Sequence, residues 1–459
     1  MTRACDMADD ARCSLRRRGL AALAFSLSNG MNAFLWIGFS PVAQATARRY
    51  DVSVRDVNTL SLLFLYLYAP GYLLAVAVTQ RHGMRASVLL GSFLNLACGW
   101  VRYGATALST AHAFGLLAFG QALGALAQPA FTNAPPALAA SWFPPREREH
   151  VLVWTSVANI IGNAVGSAVP GLVVSRVHEA ADLDALLLGQ AIACTLIFAL
   201  ACASLWSPLP QQLDAPPPGD SDTSARDALR SVFVQCGLLL RNRNYMALCF
   251  AFAIGIGLFN ALLTLVAQLL APCGYGADVA SFTGGALLVT GLVGAGLAGV
   301  CMARAPHAAV RLEQALVLLL LAALLGMLAC LRRGALAPLI VTWGALGGAL
   351  IPLLPVSLEN AAAVAHPVSP DAAAGFMLLA GQWAGIVYIY VVPPLLALPR
   401  SAHCTTVATP AALFLVLNLL AAVASIACLR YDDRRKVTPA PAPAESKTQE
   451  NELCIKTGM

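Results

Sequence analysis

Twelve separate stretches of this 459-residue chain are apolar over about 20 residues, the length that an α-helix needs to cross the hydrocarbon core of a bilayer. Each stretch is continuously apolar, without the alternating polar residues of a transmembrane β-strand. Only 11% of all residues are charged, against roughly 25% in a soluble domain. The sequence therefore predicts an all-α membrane protein with twelve transmembrane helices, numbered below as spans 1 to 12. They fall near residues 19–44, 57–79, 86–105, 112–139, 151–174, 184–206, 243–271, 278–303, 312–331, 337–365, 371–397 and 409–429.

A polar segment at residues 207–242 divides the spans into two groups of six. Its Pro, Gly, Ser and Asp content is too polar to bury a core. The predicted regions are a cytoplasmic N-tail (1–18), a six-helix bundle (19–206), a cytoplasmic linker (207–242), a second six-helix bundle (243–430) and a disordered cytoplasmic C-tail (431–459). This plan matches the major facilitator fold, in which two bundles enclose a substrate cavity near the middle of the membrane.

Basic residues predict the orientation of the chain. With both termini on one side, 21 of the 29 Lys and Arg residues lie on that side, so both termini are predicted to be cytoplasmic. The net charge of +6 then reflects topology, and no nucleic-acid partner is predicted. The first apolar stretch is too long for a signal peptide and is expected to remain as span 1. We expect the protein to be a monomer in a lipid bilayer, with a small-molecule substrate. The plasma membrane is expected in preference to an organelle membrane.

Polar residues within the spans need a physical reason to be there. Glu359 lies inside predicted span 10, where an acid costs about 2.5 to 3.5 kcal/mol. It either lies near the inner end, hydrated or hydrogen-bonded to Asn360, or is a cavity carboxylate that attracts a cation or takes up a proton. Arg102 closes span 3 near its outer end, where its side chain is expected to reach water.

Amides and one tryptophan lie at depth in four other spans. The amides are Asn29 and Asn32 in span 1, Gln121 and Gln128 in span 4, Asn260 in span 7 and Gln382 in span 11. They predict either hydrogen bonds between helices or a shared polar cavity. Trp36 is central in span 1, whereas membrane tryptophans usually lie at the interfaces. It is either packed core or the wall of a site for a cationic or flat ligand.

Prolines and glycines add detail to the helical pattern. Pro135 and Pro136 in span 4, and Pro352 and Pro355 in span 10, remove backbone donors at corresponding places of the two halves. Interrupted helices of this kind indicate a substrate site. Glycines at helix-packing spacing, such as Gly162 in span 5, predict close approach of helix backbones.

Nothing in the sequence indicates chemistry on a substrate. A Walker loop, an HExxH motif and a nucleophile elbow are all missing, so no enzyme is predicted. The 13 cysteines show no metal-ligand spacing, and no cofactor or metal site is predicted. Cys273 and Cys404 follow spans 7 and 11 on the predicted outer side, where a disulfide between them is an open alternative.

Short motifs connect the chain to a known family. The motifs are NAFLWIGFS, LNLACGWVRYG, FGQALGALAQ and LAASWFPP in the first half, and GLFNALLTLVAQLL and GQWAG in the second. With them, the chain resembles the feline leukaemia virus subgroup C receptor-related transporters, solute carrier family 49, and is most similar to the member-3 branch. The QRHGMR loop resembles the major facilitator signature Asp-Arg-x-Gly-x-Arg, with Gln80 where the acid is usual.

The resemblance implies transport of choline or ethanolamine, with haem also attributed to the family. It implies a substrate site at Trp36, Gln128, Glu359 and Gln382, each of which matches a family position. The span 7 aromatic of the choline carriers falls on Asn260, which removes part of their aromatic cage; Asn260 is expected to contact the substrate in its place.

The expected function is therefore a solute carrier that works by alternating access, with choline or a related organic cation as substrate. Haem is the alternative substrate, although the seven histidines provide no obvious axial pair within a span. A membrane receptor or sensor that does not transport is the alternative of another class.

Overall fold

The computed structural model describes residues 2–108, 110–174, 177–205, 234–305, 308–332, 334–366, 368, 370–397 and 410–427. The long helices within them are Thr2–Ile37, Ala43–Tyr50, Val54–Tyr66, Tyr68–Gly104, Thr110–Ala127, Pro135–Trp142, Pro145–Val173, Glu179–Leu205, Arg243–Leu270, Ala277–Arg304, Ala309–Cys330, Leu336–Val364, Pro370–Ala397 and Pro410–Ala427. Short helical turns add Ala105–Ala107, Pro129–Thr132 and Ala271–Cys273. The predicted linker lies mostly outside the described residues, apart from a helix at 234–241, and the C-tail lies wholly outside them.

Twelve helical stretches of the described chain are long and apolar enough to cross a membrane, which confirms the all-α prediction. They are Arg17–Ile37, Val54–Thr79, Arg81–Ala107, His112–Thr132, His150–Val173, Glu179–Leu205, Arg243–Cys273, Ala277–Arg304, Ala309–Cys330, Leu336–Val364, Ala372–Leu396 and Pro410–Ala427. Because successive spans alternate in direction, span 1 begins and span 12 ends on the same side, called here the tail side. The opposite side is the far side.

Span 1 ends earlier than predicted. Its helix stops at Ile37, and a turn leads through Gly38 and Pro41 into the short helix Ala43–Tyr50. The prediction of helix to residue 44 was wrong because a proline disfavours helical geometry in the residue before it. Between spans 2 and 3 the chain turns within one continuous run of helix, at Gly83, whose φ of 79° suits glycine.

The two proline-containing spans differ from each other. In span 4 the helix breaks, since Thr110–Ala127 is followed by the single turn Pro129–Thr132 and then by Pro135–Trp142. In span 10 the helix Leu336–Val364 continues through Pro352 and Pro355. The predicted interruption is therefore present in span 4 and missing in span 10.

The two halves meet on the far side of the molecule. Ser40, just after span 1, donates hydrogen bonds to the backbone carbonyls of Leu263 and Thr264 in span 7, at 2.8 Å for Thr264. Asn58 in span 2 and Gln268 in span 7 exchange amide hydrogen bonds of 3.4 and 2.6 Å. These three contacts close the far side between spans 1, 2 and 7.

Apolar packing follows the same division. One large cluster joins residues of both halves, among them Trp36 of span 1, Leu262 of span 7 and Ile386 of span 11. Two further clusters lie toward the tail side, and each contains residues of one half only. Spans 2 and 11 also approach each other nearer the tail side, where a Cβ on Gly375 would stand 3.7 Å from the Tyr72 hydroxyl.

Close backbone approach is clearest inside each half. A Cβ on Gly162 of span 5 would overlap the Gly30 carbonyl of span 1, and one on Gly347 of span 10 would overlap the Leu287 carbonyl of span 8. The predicted role of Gly162 in helix packing is thus confirmed. Cys273 is disulfide-bonded. Cys404, with which the sequence allowed a disulfide, lies outside the described residues.

Candidate functional site

Trp36 lies on the last turn of the span 1 helix, one residue before the helix ends. Its side chain is 5% exposed and belongs to the cluster shared by both halves. The indole Nε1 is buried and has no hydrogen-bond partner among the described residues. A buried donor without an acceptor costs free energy, so this N–H is suited to a ligand or water that supplies an acceptor.

Asn260 and Gln382 come together from spans 7 and 11. The Asn260 amide donates from Nδ2 to Oε1 of Gln382 at 3.3 Å, and Asn260 is buried. Gly385, one turn after Gln382, leaves the space that the Asn260 amide occupies, because a Cβ there would stand 2.9 Å from Nδ2. These two predicted site residues thus form one polar group on the C-terminal half.

Gln128 lies at the helix break of span 4. Its backbone carbonyl accepts from Phe131 and Thr132, each at 3.0 Å, in the turn that Pro129 begins. Its side-chain Oε1 is buried without a described partner. On the same broken segment, Asn133 accepts a 3.1 Å hydrogen bond from the hydroxyl of Tyr68, a buried residue of span 2 that the sequence reasoning did not select.

Glu359 does not have the buried environment that its place in span 10 suggested. Its side chain is exposed, while its neighbour Asn360 is buried and donates to Oε2 of Glu313 at 2.6 Å. Ser357 donates to Oε1 of the same acid at 2.5 Å. Glu313 in span 9, at 0% exposure, is therefore the acid that is buried between helices, and the predicted pairing of Asn360 with Glu359 is not the one observed.

The amides of span 1 pack helices together. Asn32 donates to Oδ1 of Asn95 and to the Gly124 carbonyl, both at 2.8 Å, which ties spans 1, 3 and 4. Asn29 donates to the Thr155 carbonyl at 3.0 Å and accepts from Asn159 at 2.9 Å, which ties spans 1 and 5. The interhelical alternative therefore applies to both asparagines.

Arg102 differs most from its prediction. Its side chain is 1% exposed and does not reach water. Instead, Nη2 donates to Gln190 at 2.8 Å and Nη1 to the Leu35 carbonyl at 3.3 Å, and Gln121 donates to the same carbonyl at 3.0 Å. Gln121, predicted beside Gln128, therefore packs against span 1.

Known proteins share both the sequence and the fold. The family model described as Major Facilitator Superfamily matches residues 25–389. Solute carrier family 49 member A3 of Danio rerio is 30% identical over 398 residues, which cover 85% of this chain and 80% of the relative. The chain belongs to solute carrier family 49 of the major facilitator superfamily.

A second relative is similar in sequence, and two solved structures share the fold. The choline/ethanolamine transporter FLVCR1 of Mus musculus is 27% identical, with 81% of this chain and 69% of the relative covered. A crystal structure of a D-xylose-proton symporter has a TM-score of 0.66 at 14% identity, over 89% of this chain and 96% of the other. A bacterial homolog to the human lysosomal transporter Spinster, in an inward-facing and unoccupied conformation, has a TM-score of 0.63 at 14% identity, over 90% and 95% of the two chains.

Membership settles the class of the protein. It is a multi-pass membrane protein and a major facilitator transporter, as the family model and the twelve apolar helices show. The family resemblance predicted from the motifs is confirmed, and no catalytic family is indicated. The two structural neighbours share the fold alone with this chain.

Proposed function

We propose that this protein carries a small organic cation of the choline and ethanolamine class across a membrane, and that Trp36, Gln128, Asn260, Glu359 and Gln382 contact it. The relatives named as choline/ethanolamine transporters support the substrate class. The observation that carries the proposal is the buried indole of Trp36, with its unpartnered Nε1, in the cluster shared by both halves. A cation over an indole face gains about 0.5 to 2 kcal/mol or more, depending on its desolvation.

The remaining site groups have the chemistry that an amino alcohol needs. The unpartnered Oε1 of Gln128 is an acceptor for a hydroxyl or an ammonium N–H, and the indole Nε1 is a donor for a hydroxyl oxygen. Asn260, in place of a second aromatic, offers an amide already engaged with Gln382. The site has fewer aromatic faces and more hydrogen-bond acceptors than the aromatic cage of the choline carriers. It therefore favours an ammonium group that can donate hydrogen bonds, which ethanolamine has and choline lacks.

The contacts between the halves support transport by alternating access. On the far side, Ser40 and the pair of Asn58 and Gln268 connect the two halves, and alternating access requires these contacts to break. We assign the tail side to the cytoplasm from the excess of basic residues, and we place the protein in the plasma membrane. Glu359, exposed near the tail-side end of span 10, would contact the cation as it passes the tail side.

Haem is not favoured by a specific observation. The described histidines His82, His112, His150, His178 and His366 are all exposed, so none is a buried axial ligand. The receptor or sensor alternative differs from the proposal in one measurable respect, because a receptor would bind a ligand without moving it.

Replacing Trp36 with alanine tests the proposal. We expect radiolabelled ethanolamine and choline uptake to fall about 30-fold in efficiency, because a desolvated cation–π contact is worth about 2 kcal/mol. Trp36→Phe keeps an aromatic face and should retain most of the uptake. The measurement is initial uptake rate against substrate concentration in cells that express the protein.

Trp343 in span 10 provides the matched control. It is a fully buried tryptophan with an unpartnered Nε1 in the same apolar cluster, but it lies on span 10, one turn before Gly347, which packs against the backbone of span 8. Trp343→Phe should lower the melting temperature more than it lowers uptake efficiency. Saturable uptake that survives Trp36→Ala unchanged would remove Trp36 from the site, and ligand-induced thermal stabilisation without any uptake would favour the receptor alternative.

A further inference from the structure

Arg102 is a buried cation whose described polar contacts are all uncharged. It lies at 1% exposure in span 3, and its guanidinium stands 4.5 Å from the ring centroid of Phe39. The ion pairs described elsewhere are Arg48 with Glu179 and Arg49 with Asp184. A buried charge is costly unless its surroundings compensate it, so the groups around Arg102 must be arranged to do so.

Besides Gln190, the end of the span 1 helix compensates this charge. The last carbonyls of a helix have no partner within it, and they carry the negative end of the helix dipole. At this end the Phe34 carbonyl accepts from Gly38 at 3.0 Å and the Ile37 carbonyl from Ser40 at 2.9 Å. The Leu35 carbonyl accepts from Arg102, and Gln121 adds a second donor. Arg102 therefore completes the last turn of span 1.

That turn leads directly to two functional elements. The Leu35 carbonyl belongs to the peptide bond that enters Trp36, the proposed substrate tryptophan. Five residues after Leu35, Ser40 makes the contact with Leu263 and Thr264 that joins the halves on the far side. Phe39, whose ring lies under the Arg102 guanidinium, stands between Trp36 and Ser40 in the chain. One side chain thus contacts Leu35 directly before Trp36 and Phe39 directly before Ser40.

We propose that Arg102 is a positioning residue that couples the substrate site to the far-side contact by fixing the segment from Leu35 to Ser40. The coupling to substrate rests on the proposed function, whereas the hold on Ser40 does not. Arginine suits this role because its planar fork reaches Leu35 and Gln190 at once and its face stacks on Phe39. Lysine, as a compact point charge, can satisfy only part of this arrangement.

The test measures far-side geometry and ligand affinity separately. Gln44→Cys and Asp278→Cys place spin labels on exposed far-side positions of the two halves, in a background without other labelled cysteines. Electron paramagnetic resonance then gives the distance distribution across the far side in the full chain. Equilibrium binding of radiolabelled choline and ethanolamine to the same purified proteins gives affinity. Gel filtration shows which variants are folded.

For Arg102→Met we expect a longer and broader far-side distance and about tenfold weaker ligand binding, the usual cost of losing one well-placed contact. Arg102→Lys should fall between Met and wild type in both readouts. Ser40→Ala is the matched variant that removes only the far-side contact. It should lengthen the far-side distance and leave ligand affinity unchanged. Gln121→Met removes the second donor to Leu35 and should produce a smaller change in the direction of Arg102→Met.

Each result decides for or against the proposal. A folded Arg102→Met protein with the wild-type distance distribution overturns it, and so does a lengthened distance with unchanged affinity, which breaks the coupling to Trp36. If Arg102→Met does not fold, Arg102→Lys decides by the same criteria. If wild type binds neither ligand, the proposed function fails, and the distance distribution still tests the hold of Arg102 on Ser40.

Discussion

Replacing Gly347 with valine is expected to abolish folded protein. Gly347 lies where spans 8 and 10 pack backbone to backbone, and a Cβ there would overlap the carbonyl oxygen of Leu287. Overpacking of side chains costs typically about 1 to 3 kcal/mol, and backbone is less able to move than a side chain, so we expect about 3 kcal/mol or more. Gly347→Ala should already lower the melting temperature strongly, as measured on purified protein in detergent.

The neighbouring glycine is the control for this prediction. A Cβ on Gly348 would stand 4.0 Å from the nearest atom, the Thr290 carbonyl oxygen, which is an ordinary contact. Gly348→Ala should therefore be neutral or slightly stabilising, because alanine favours helix by about 0.5 to 1 kcal/mol. Equal melting temperatures for Gly347→Ala and Gly348→Ala would show that spans 8 and 10 are not packed as closely as described.

Most of the fold could be predicted from the sequence because the bilayer restricts what a membrane-spanning segment can be. A bilayer requires about 20 continuous apolar residues for each helix, and such runs are easy to count. Helix ends were harder to place, since Gly38 and Pro41 stop span 1 within an apolar run. Spans 4 and 10 both contain prolines, yet only span 4 breaks: Pro129 and Pro135 each begin a new helical segment there, whereas the span 10 helix continues through Pro352 and Pro355.

The site was less predictable, for a related reason. Motif resemblance selected Gln382 and depth in an apolar span selected Asn260, and the fold brings their amides to 3.3 Å. Burial of a charged side chain, however, depends on which face of a helix it occupies and what packs there. Glu359 lies five residues before the end of the span 10 helix and Glu313 four residues after the start of the span 9 helix, so their depth in the sequence does not show which of the two acids is buried. Arg102 was misassigned in the same way, since proximity to a helix end suggested water.

Removing Glu313 is the second large effect that we expect. Its two oxygens accept from Ser357 at 2.5 Å and from Asn360 at 2.6 Å, and all three residues are buried. Glu313→Met leaves the Ser357 hydroxyl without its carboxylate acceptor and leaves Asn360 Nδ2 with only the Ala309 carbonyl, at 3.3 Å, and a buried unsatisfied donor costs about 1 to 3 kcal/mol. We therefore expect destabilisation of about 3 kcal/mol, seen as a lower melting temperature and a lower yield of folded protein. Glu359→Gln, at an exposed position, should change stability by less than about 0.5 kcal/mol.

A combined variant separates hydrogen bonding from packing. If the loss in Glu313→Met comes from unsatisfied donors, adding Ser357→Ala and Asn360→Leu should restore much of the stability, because removing all partners of a buried polar group can be nearly neutral. If packing alone is responsible, the added changes should destabilise further.

Uptake gives the second readout. Since Glu313 fastens span 9 to the tail-side end of span 10 and Glu359 lies on the exposed side of that same end, Glu359→Gln should lower uptake at wild-type stability, whereas the restored triple variant should transport.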